Sequence, residues 1–171
     1  MKPMDRRFGY ACLGLVFLCG LILWFRQDSL PENIPMFQTF AGSIVKTSPR
    51  SFWTVARLPL MHLVLLSVIL TWAKACPNGS DWSGMLTMGI LTATCKAVFE
   101  ILGLAFGNAA FGIGAGAVVF IFLVTLVYFL RKRNWSFKFQ TLPLSRVRRV
   151  IIGFGLLVYI LLVTIPFWLS R

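Results

Sequence analysis

Residues 131–149 read RKRNWSFKFQTLPLSRVRR and lie between two long apolar runs. This segment has no acidic residue and holds seven of the chain's seventeen lysines and arginines, namely Arg131, Lys132, Arg133, Lys138, Arg146, Arg148 and Arg149. Short basic segments beside membrane spans stay on the cytoplasmic side, because the bilayer opposes the transfer of fixed positive charge. We therefore expect a cytoplasmic basic loop that faces anionic lipids of the inner leaflet and sets the orientation of the other segments.

The composition is that of an integral membrane protein. Of the 171 residues, 58% are hydrophobic and only 13% are charged, which leaves too little polar surface to cover a soluble domain of this size. The net charge of +12 is concentrated in short connectors between apolar runs, so it predicts contact with lipid headgroups and not nucleic-acid binding. Cys12, Cys19, Cys76 and Cys95 show no metal-binding or redox spacing and are expected to be apolar filler.

The apolar runs predict a single all-α domain, a polytopic bundle of about five transmembrane helices. The predicted spans are residues 8–25, 54–73, 84–106, 109–130 and 150–169. The first run follows basic residues and ends without a small-residue cleavage site, so it is expected to be an uncleaved span rather than a signal peptide. These features place the N-terminus inside and the C-terminus outside.

The third run, residues 84–106, is the least apolar of the five because Lys96 and Glu100 lie near its middle. If it did not cross the membrane, an inside N-terminus would place the basic loop 131–149 outside, against the charge rule. A crossing restores the loop to the cytoplasm, with Gly107 and Asn108 forming a tight outer turn. Five spans therefore agree with the charges better than four.

The connectors carry their own predictions. Residues 26–53 form a polar, proline-containing connector that is expected to lie outside. The turn-forming stretch 76–81 includes a glycosylation-type sequon at Asn78, which a cytoplasmic position would leave inert. In the basic loop, Trp135, Phe137 and Phe139 alternate with polar residues, a pattern expected to lie on the inner leaflet or, less simply, to dock a protein.

Three polar side chains inside the apolar runs are candidates for function. Lys96 and Glu100 are four residues apart, so a helix places them on one face within contact distance. An ionised group near the bilayer centre costs about 2.5–3.5 kcal/mol, and pairing offsets part of that cost. The pair therefore either relays protons or ions, contacts another helix, or simply neutralises itself so that the helix can insert. His62 is expected to face the same interior, where packing or hydrogen bonding is its simpler role.

Four glycines have the spacing of helix-packing motifs. Gly103 and Gly107, and likewise Gly112 and Gly116, are separated by four positions, which lets helix backbones approach closely. We expect them to pack the third span against the fourth within one protomer, with a dimer interface as the alternative.

The sequence contains no Ser-His-Asp arrangement, metal-ligand cluster or phosphate-binding loop, so we assign no catalytic residue, metal or cofactor. The expected function is action through helix–helix or partner contacts, as an immunity or signalling factor or as a subunit or accessory of a membrane complex. A transporter or channel protomer that uses the Lys96–Glu100 pair stays open. A lipid-active enzyme that uses Asp28, Glu32 or Asp81 is a third hypothesis. The expected partner is another membrane protein or a second copy of this chain.

The stretch Leu30-Pro31-Glu32-Asn33-Ile34-Pro35 follows one apolar run and precedes a second. With Gly42, Ser51, Phe52 and Pro59, it resembles a family of bacterial membrane domains of unknown function found at the N-terminus of SdpI-type immunity and signalling proteins. The resemblance covers residues 8–73 and implies an outer loop between two helices and a location in the bacterial inner membrane. This chain has Phe37 where that family usually has a histidine, and no acidic residue in the four positions after Gly42.

Overall fold

The structure is a computed structural model that describes residues 6–38, 44–74, 81–107, 109–132 and 145–168. These ranges contain five α-helices, which are α1 (Arg6–Phe25), α2 (Phe52–Ala73), α3 (Asp81–Phe106), α4 (Ala109–Lys132) and α5 (Arg146–Trp168). Between α1 and α2 lie a 3-10 turn (Gln27–Ser29) and two strands, β1 (Asn33–Gln38) and β2 (Ile44–Pro49). The predicted all-α class is confirmed for the part of the chain that the structure describes.

Four helices are long and apolar enough to cross a bilayer: Arg7–Phe25, Phe52–Ala73, Gly84–Phe106 and Arg146–Thr164. The third of these is the segment that contains Lys96 and Glu100, and it is one continuous helix. In α4 the apolar part within the described residues, Gly112–Tyr128, is shorter. Length and composition therefore support the helical membrane-protein class.

The core of the bundle is formed by α1, α2 and α3, which pack against one another, while α4 packs on α3 and α5 packs on α2. Each of the three central helices contributes a stripe of buried side chains at helical spacing. The buried residues include Cys12, Val16, Cys19 and Leu23 of α1, Val55, Leu66 and Leu70 of α2, and Ile90, Ala93, Ala97, Ile101 and Ala105 of α3. Cys12 and Cys19 thus act as apolar filler, whereas Cys76 lies outside the described residues.

Contacts at both ends show that α1 and α2 are antiparallel. At one end Trp24 meets the ring of Phe52 edge to face, with 5.1 Å between the ring centroids. At the other end the Lys74 ammonium donates a hydrogen bond of 3.2 Å to the Tyr10 hydroxyl. The C-terminus of α1 therefore lies beside the N-terminus of α2.

The remaining helices alternate in the same way. The Arg26 guanidinium lies over the ring of Phe106, 4.5 Å from its centroid, so α3 ends where α1 ends. The turn at Gly107 then reverses the chain into α4. We call this end of the bundle the hairpin end and the opposite end, where α5 begins at Arg146, the arginine end.

The described part of the polar connector between α1 and α2 folds onto the bundle. Strands β1 and β2 form an antiparallel pair with irregular register. Leu30 and Ile34 are buried and belong to the same apolar cluster as the helices. They fix the connector to the hairpin end, since their burial removes apolar surface from water.

Arg50 closes the same connector through main-chain carbonyls. Its Nη1 donates to the carbonyl oxygens of Gln27, Asp28 and Leu30 at 3.3, 2.9 and 2.9 Å. These carbonyls lie in and directly after the 3-10 turn, and a cation near such a terminus is favoured by the local dipole. One side chain therefore joins the end of β2 to the turn that follows α1.

Helix α5 begins within the segment predicted to be a loop. Ser145 is its N-cap, because the main-chain N–H of Arg148 donates to Ser145 Oγ at 3.3 Å. Arg146, Arg148 and Arg149 are consequently in the first turn of α5 and are exposed. Arg131 and Lys132 are likewise in α4, whereas Arg133, Lys138, Trp135, Phe137, Phe139 and Asn78 lie outside the described residues.

A glycine sets the distance between α2 and α5. A Cβ added to Gly155 would overlap Val68 Cγ2, whereas a Cβ added to Gly153, on the same helix, meets nothing within 4 Å. Both changes to alanine remove the same helix-propensity penalty, about 1 kcal/mol. Only the change at Gly155 must move α5 away from α2.

We therefore expect Gly155→Ala to lower the free energy of unfolding by about 1–3 kcal/mol, the usual cost of overpacking. Gly153→Ala is the matched control and should leave stability unchanged or raise it. Thermal unfolding of the two purified variants in one detergent measures the difference. Equal melting temperatures would show that α2 and α5 are not in close contact there.

Candidate functional site

The three intramembrane candidates come together between α2 and α3. Helix α2 supplies His62, ten residues after its first residue, and α3 supplies Lys96 and Glu100. At 1.5 Å per residue, His62 and Lys96 each lie about 15 Å from the hairpin end of their helices. The site is therefore deep within helices of membrane-spanning length, far from either end.

Glu100 is the centre of this polar network, because each of its carboxylate oxygens has its own partner. Oε2 lies 2.8 Å from His62 Nε2, and Oε1 lies 2.5 Å from Lys96 Nζ. The bond to His62 joins two helices, whereas the bond to Lys96 is within α3 at the i,i+4 spacing. A carboxylate accepts only, so His62 Nε2 carries the hydrogen that it donates.

The network balances its charge without a further ion. Lys96 contributes one positive charge and Glu100 one negative charge, and an N–H on His62 Nε2 satisfies the second carboxylate oxygen. Both bonds to Glu100 are charge-assisted, the stronger class of hydrogen bond. The arrangement offsets part of the cost of placing ionised groups at this depth.

Exposure differs sharply among the three side chains. His62 is 2% exposed, whereas Glu100 is 29% and Lys96 is 33% exposed. The network therefore begins in the interior at His62 and ends at the surface of the bundle at Lys96. In a bilayer that surface position is hydrocarbon, so the outer part of the network needs a polar neighbour.

Helix α5, which packs on α2, also contributes a group near this region. Its Tyr159 is half-buried and close enough to Glu100 for the two groups to interact electrostatically. Nearer the hairpin end, Arg57 Nη1 of α2 donates to the Leu162 carbonyl of α5 at 3.3 Å. The sequence pointed to neither contact, because a tyrosine within an apolar run and an arginine near its start have no spacing that indicates their partners.

The glycines of α3 and α4 that were candidates for helix packing have different surroundings in the structure. Gly107 has φ +62° and ends α3, its N–H donating to the Leu104 carbonyl at 3.3 Å. Only a turn glycine suits this conformation. A Cβ at Gly107 would meet nothing within 4 Å, so the turn is the role that its geometry supports. The close approach of α3 and α4 occurs at Gly114, where a Cβ would lie 3.2 Å from the Phe99 ring. Gly103, Gly112 and Gly116 are half-buried.

Among the described residues, no three His, Cys, Asp or Glu side chains lie close enough together to bind a metal ion. The acids proposed for a lipid-active enzyme do not meet at one place. Asp28 and Glu32 are exposed at the hairpin end, whereas Asp81 begins α3 at the arginine end. The network around Glu100 is thus the candidate functional site.

Comparison of the chain with known protein families, with curated proteins and with solved structures gave no match. The resemblance of residues 8–73 to the membrane domain of SdpI-type proteins stays a prediction from the sequence.

We expect the bond between His62 and Glu100 to contribute measurably to stability. In a double-mutant cycle with His62→Ala and Glu100→Gln, the coupling free energy should be about 0.6–1.7 kcal/mol, the range for polar contacts between membrane helices. Unfolding of the purified protein in mixed micelles gives the four values. The control is a second cycle, which combines His62→Ala with Thr125→Val. Thr125 of α4 donates its hydrogen bond to a carbonyl of its own helix, so no coupling with His62 is expected. A coupling no larger than in that control would contradict the contact.

Proposed function

We propose that this protein is a small non-enzymatic membrane protein that acts by binding another membrane-embedded protein through the face of α3 that carries Lys96 and Glu100. An immunity or signalling factor and a subunit or accessory of a membrane complex are the classes that fit. The observation that carries the proposal is the partial exposure of this ion pair deep within a spanning helix. The resemblance to SdpI-type proteins agrees with it, and nothing in the proposal depends on that resemblance.

The physical argument rests on what surrounds the pair. Glu100 and Lys96 satisfy each other, but about a third of each side chain is open at the bundle surface. Lipid tails offer no hydrogen bonds, so polar atoms left in contact with them keep a free-energy cost of up to a few kcal/mol. A partner helix with a polar side chain, or a second copy of this chain, would remove that cost. Polar residues of this kind commonly join helices within membranes.

The orientation that we propose has the N-terminus and the basic loop in the cytoplasm and the C-terminus outside. Among the described side chains, the cations of the arginine end are Arg7, Lys74, Arg131, Arg146, Arg148 and Arg149. At the hairpin end, the exposed Arg26 and Arg50 are balanced by Asp28 and Glu32, and the half-buried Arg57 of α2 adds one further positive charge. This asymmetry supports a cytoplasmic arginine end under the positive-inside rule. A bacterial inner membrane is the proposed location.

We also infer that α4 is the fifth span. It is a continuous helix of 24 residues, about 36 Å long, and it packs antiparallel to α3 after the turn at Gly107. Its length and its packing against a helix that is long and apolar enough to span support a fifth crossing.

The test is site-specific photo-crosslinking in native membranes. A benzophenone amino acid replaces Gly89, which lies two helical turns from Lys96 on the same face of α3. A Cβ added at Gly89 meets nothing within 4 Å, so the position has room for a larger side chain. Leu18 of α1, which is exposed on another side of the bundle, is the matched control position. We expect one protein adduct, with a partner or a second copy, from position 89 and none from position 18.

The adduct should also depend on the ion pair. Replacing both charges, as Lys96→Met with Glu100→Gln, removes the ionised groups that a partner would contact. Loss of one charge-assisted contact to the partner, worth about 1.5–3 kcal/mol, should reduce adduct yield about tenfold or more. Because Glu100→Gln also weakens the bond to His62, adduct yields are compared at equal expression and at a temperature at which both proteins are folded. Equal adducts from both positions, or no protein adduct from position 89, would contradict the proposal.

A second candidate function is favoured by the order of the network. His62, Glu100 and Lys96 form an unbroken chain of hydrogen-bonded groups from the interior to the surface, which is the arrangement that a proton relay requires. A transporter of this kind predicts proton flux in proteoliposomes that Glu100→Gln abolishes and Glu32→Gln, at the hairpin end, leaves unchanged. Absence of flux from the unmodified protein would remove this candidate.

A further inference from the structure

We propose that the groove between α2 and α5 is a binding site for one anionic phospholipid, with an acyl chain in the groove and the headgroup phosphate at the cations of the arginine end. This site is separate from the network around Glu100 and does not depend on the partner proposed for it. It does depend on the helices crossing a membrane.

The groove is a cavity of about 450 Å³, a size usual for small-molecule sites. Its walls are almost wholly apolar and include Leu63, Val64 and Val68 of α2 and Ile151, Phe154 and Val158 of α5. The Thr71 hydroxyl donates to the Ser67 carbonyl of its own helix at 2.8 Å, so it needs no partner in the groove. Such a lining suits a hydrocarbon chain and offers little to a polar ligand.

The length of the groove fits one leaflet. On α2 it runs from Leu60 to Thr71, which at 1.5 Å per residue is about 16 Å. The hydrocarbon core of a bilayer is about 30 Å thick, so half of it is nearly the same length. The groove therefore covers the depth of a single acyl chain in the leaflet at the arginine end.

A cationic residue lies at the arginine end of each of the two helices that form the groove. Lys74 follows Thr71 by three residues and so lies at the end of the α2 wall, with its ammonium directed at the ring and hydroxyl of Tyr10 in α1. Arg148 precedes Ile151 by three residues, so it borders the groove on α5. Both side chains are exposed, and Lys74 also bonds the Tyr10 hydroxyl. A phosphate above the acyl chain would lie between two positive groups.

The first turn of α5 adds a second reason to expect an anion here. It contains Arg146, Arg148 and Arg149 and no acidic residue. Cations at a helix N-terminus oppose the helix dipole, by about 0.3–1 kcal/mol each at exposed positions. A bound phosphate offsets that repulsion, because anionic lipid surfaces attract each nearby basic residue.

The test measures retention of single lipids by native mass spectrometry of the full chain, purified in mild detergent. Phosphatidylglycerol and phosphatidylcholine with identical acyl chains are added separately at equal concentrations. We expect one phosphatidylglycerol to be retained per protomer, at least about tenfold more tightly than phosphatidylcholine. Equal retention of the two lipids would overturn the proposal.

Two sets of variants locate the site. Arg148→Gln and Lys74→Gln should each weaken retention of phosphatidylglycerol severalfold. Arg149→Gln is the matched control, since this neighbouring exposed arginine lies on a different face of α5 and should have little effect. Val64→Trp should fill the groove and abolish retention, whereas Leu18→Trp on α1 should not. Melting temperatures show whether each variant is folded.

Each contrary outcome is informative. Equal losses from Arg148→Gln and Arg149→Gln would show a diffuse surface charge and not a site. Full displacement of the lipid by an equal concentration of inorganic phosphate would show that the acyl chain contributes nothing. A protein adduct in place of a lipid adduct from a benzophenone amino acid at Val64 would show that a helix occupies the groove. Any of these results overturns the proposal.

Discussion

An ionised carboxylate in the middle of a helix of membrane-spanning length needs partners, and the position of Glu100 imposes that constraint on the whole bundle. Its two oxygens bind His62 of α2 and Lys96 of α3, so the pairing fixes both the rotation of α3 and its distance from α2. A rotation of either helix that moved His62 away would leave one oxygen without this donor. Such a loss costs more than the bond itself contributes, which makes the arrangement specific.

Apolar packing follows the same geometry. The buried side chains come from α1, α2 and α3, with Leu30 and Ile34 closing the hairpin end. Helices α4 and α5 each pack mainly on one of the central helices, at Gly114 against Phe99 and at Gly155 against Val68. The outer helices therefore leave two kinds of surface, a polar one beside Lys96 and an apolar one between α2 and α5. These surfaces suit different ligands, a protein helix and a lipid chain.

Much of the fold was predictable because membrane helices are long and apolar. The five helices follow the five apolar runs, and the i,i+4 spacing of Lys96 and Glu100 predicted their contact. His62 was recognisable as a polar residue inside a run, although its bond to Glu100 depends on how α2 and α3 are rotated. The start of α5 at Arg146 was missed, even though Ser145 is a typical N-cap residue, because the arginines were interpreted as a loop.

Other features could not be predicted from spacing. The strands β1 and β2 contain Pro35 and Pro49, which argue against strands unless they are short and at an edge. Arg50 binds carbonyls more than twenty residues earlier in the chain, and no local pattern indicates such a contact. Among the described glycines, Gly20, Gly114 and Gly155 lie close to a side chain of a neighbouring helix, and helix rotation rather than glycine spacing decides which ones do.

Whether α3 crosses the membrane is the question on which the polar network, the orientation and both proposed surfaces depend. Lys74 lies before α3 and Phe106 is its last residue, and both are exposed. After the native cysteines are replaced, a single cysteine at either position can be labelled in intact cells with a membrane-impermeant thiol reagent. A spanning α3 predicts that Phe106→Cys is labelled from outside and that Lys74→Cys is labelled only after the cells are opened. Labelling of both positions from the same side would contradict a spanning α3 and, with it, a polar network inside the bilayer.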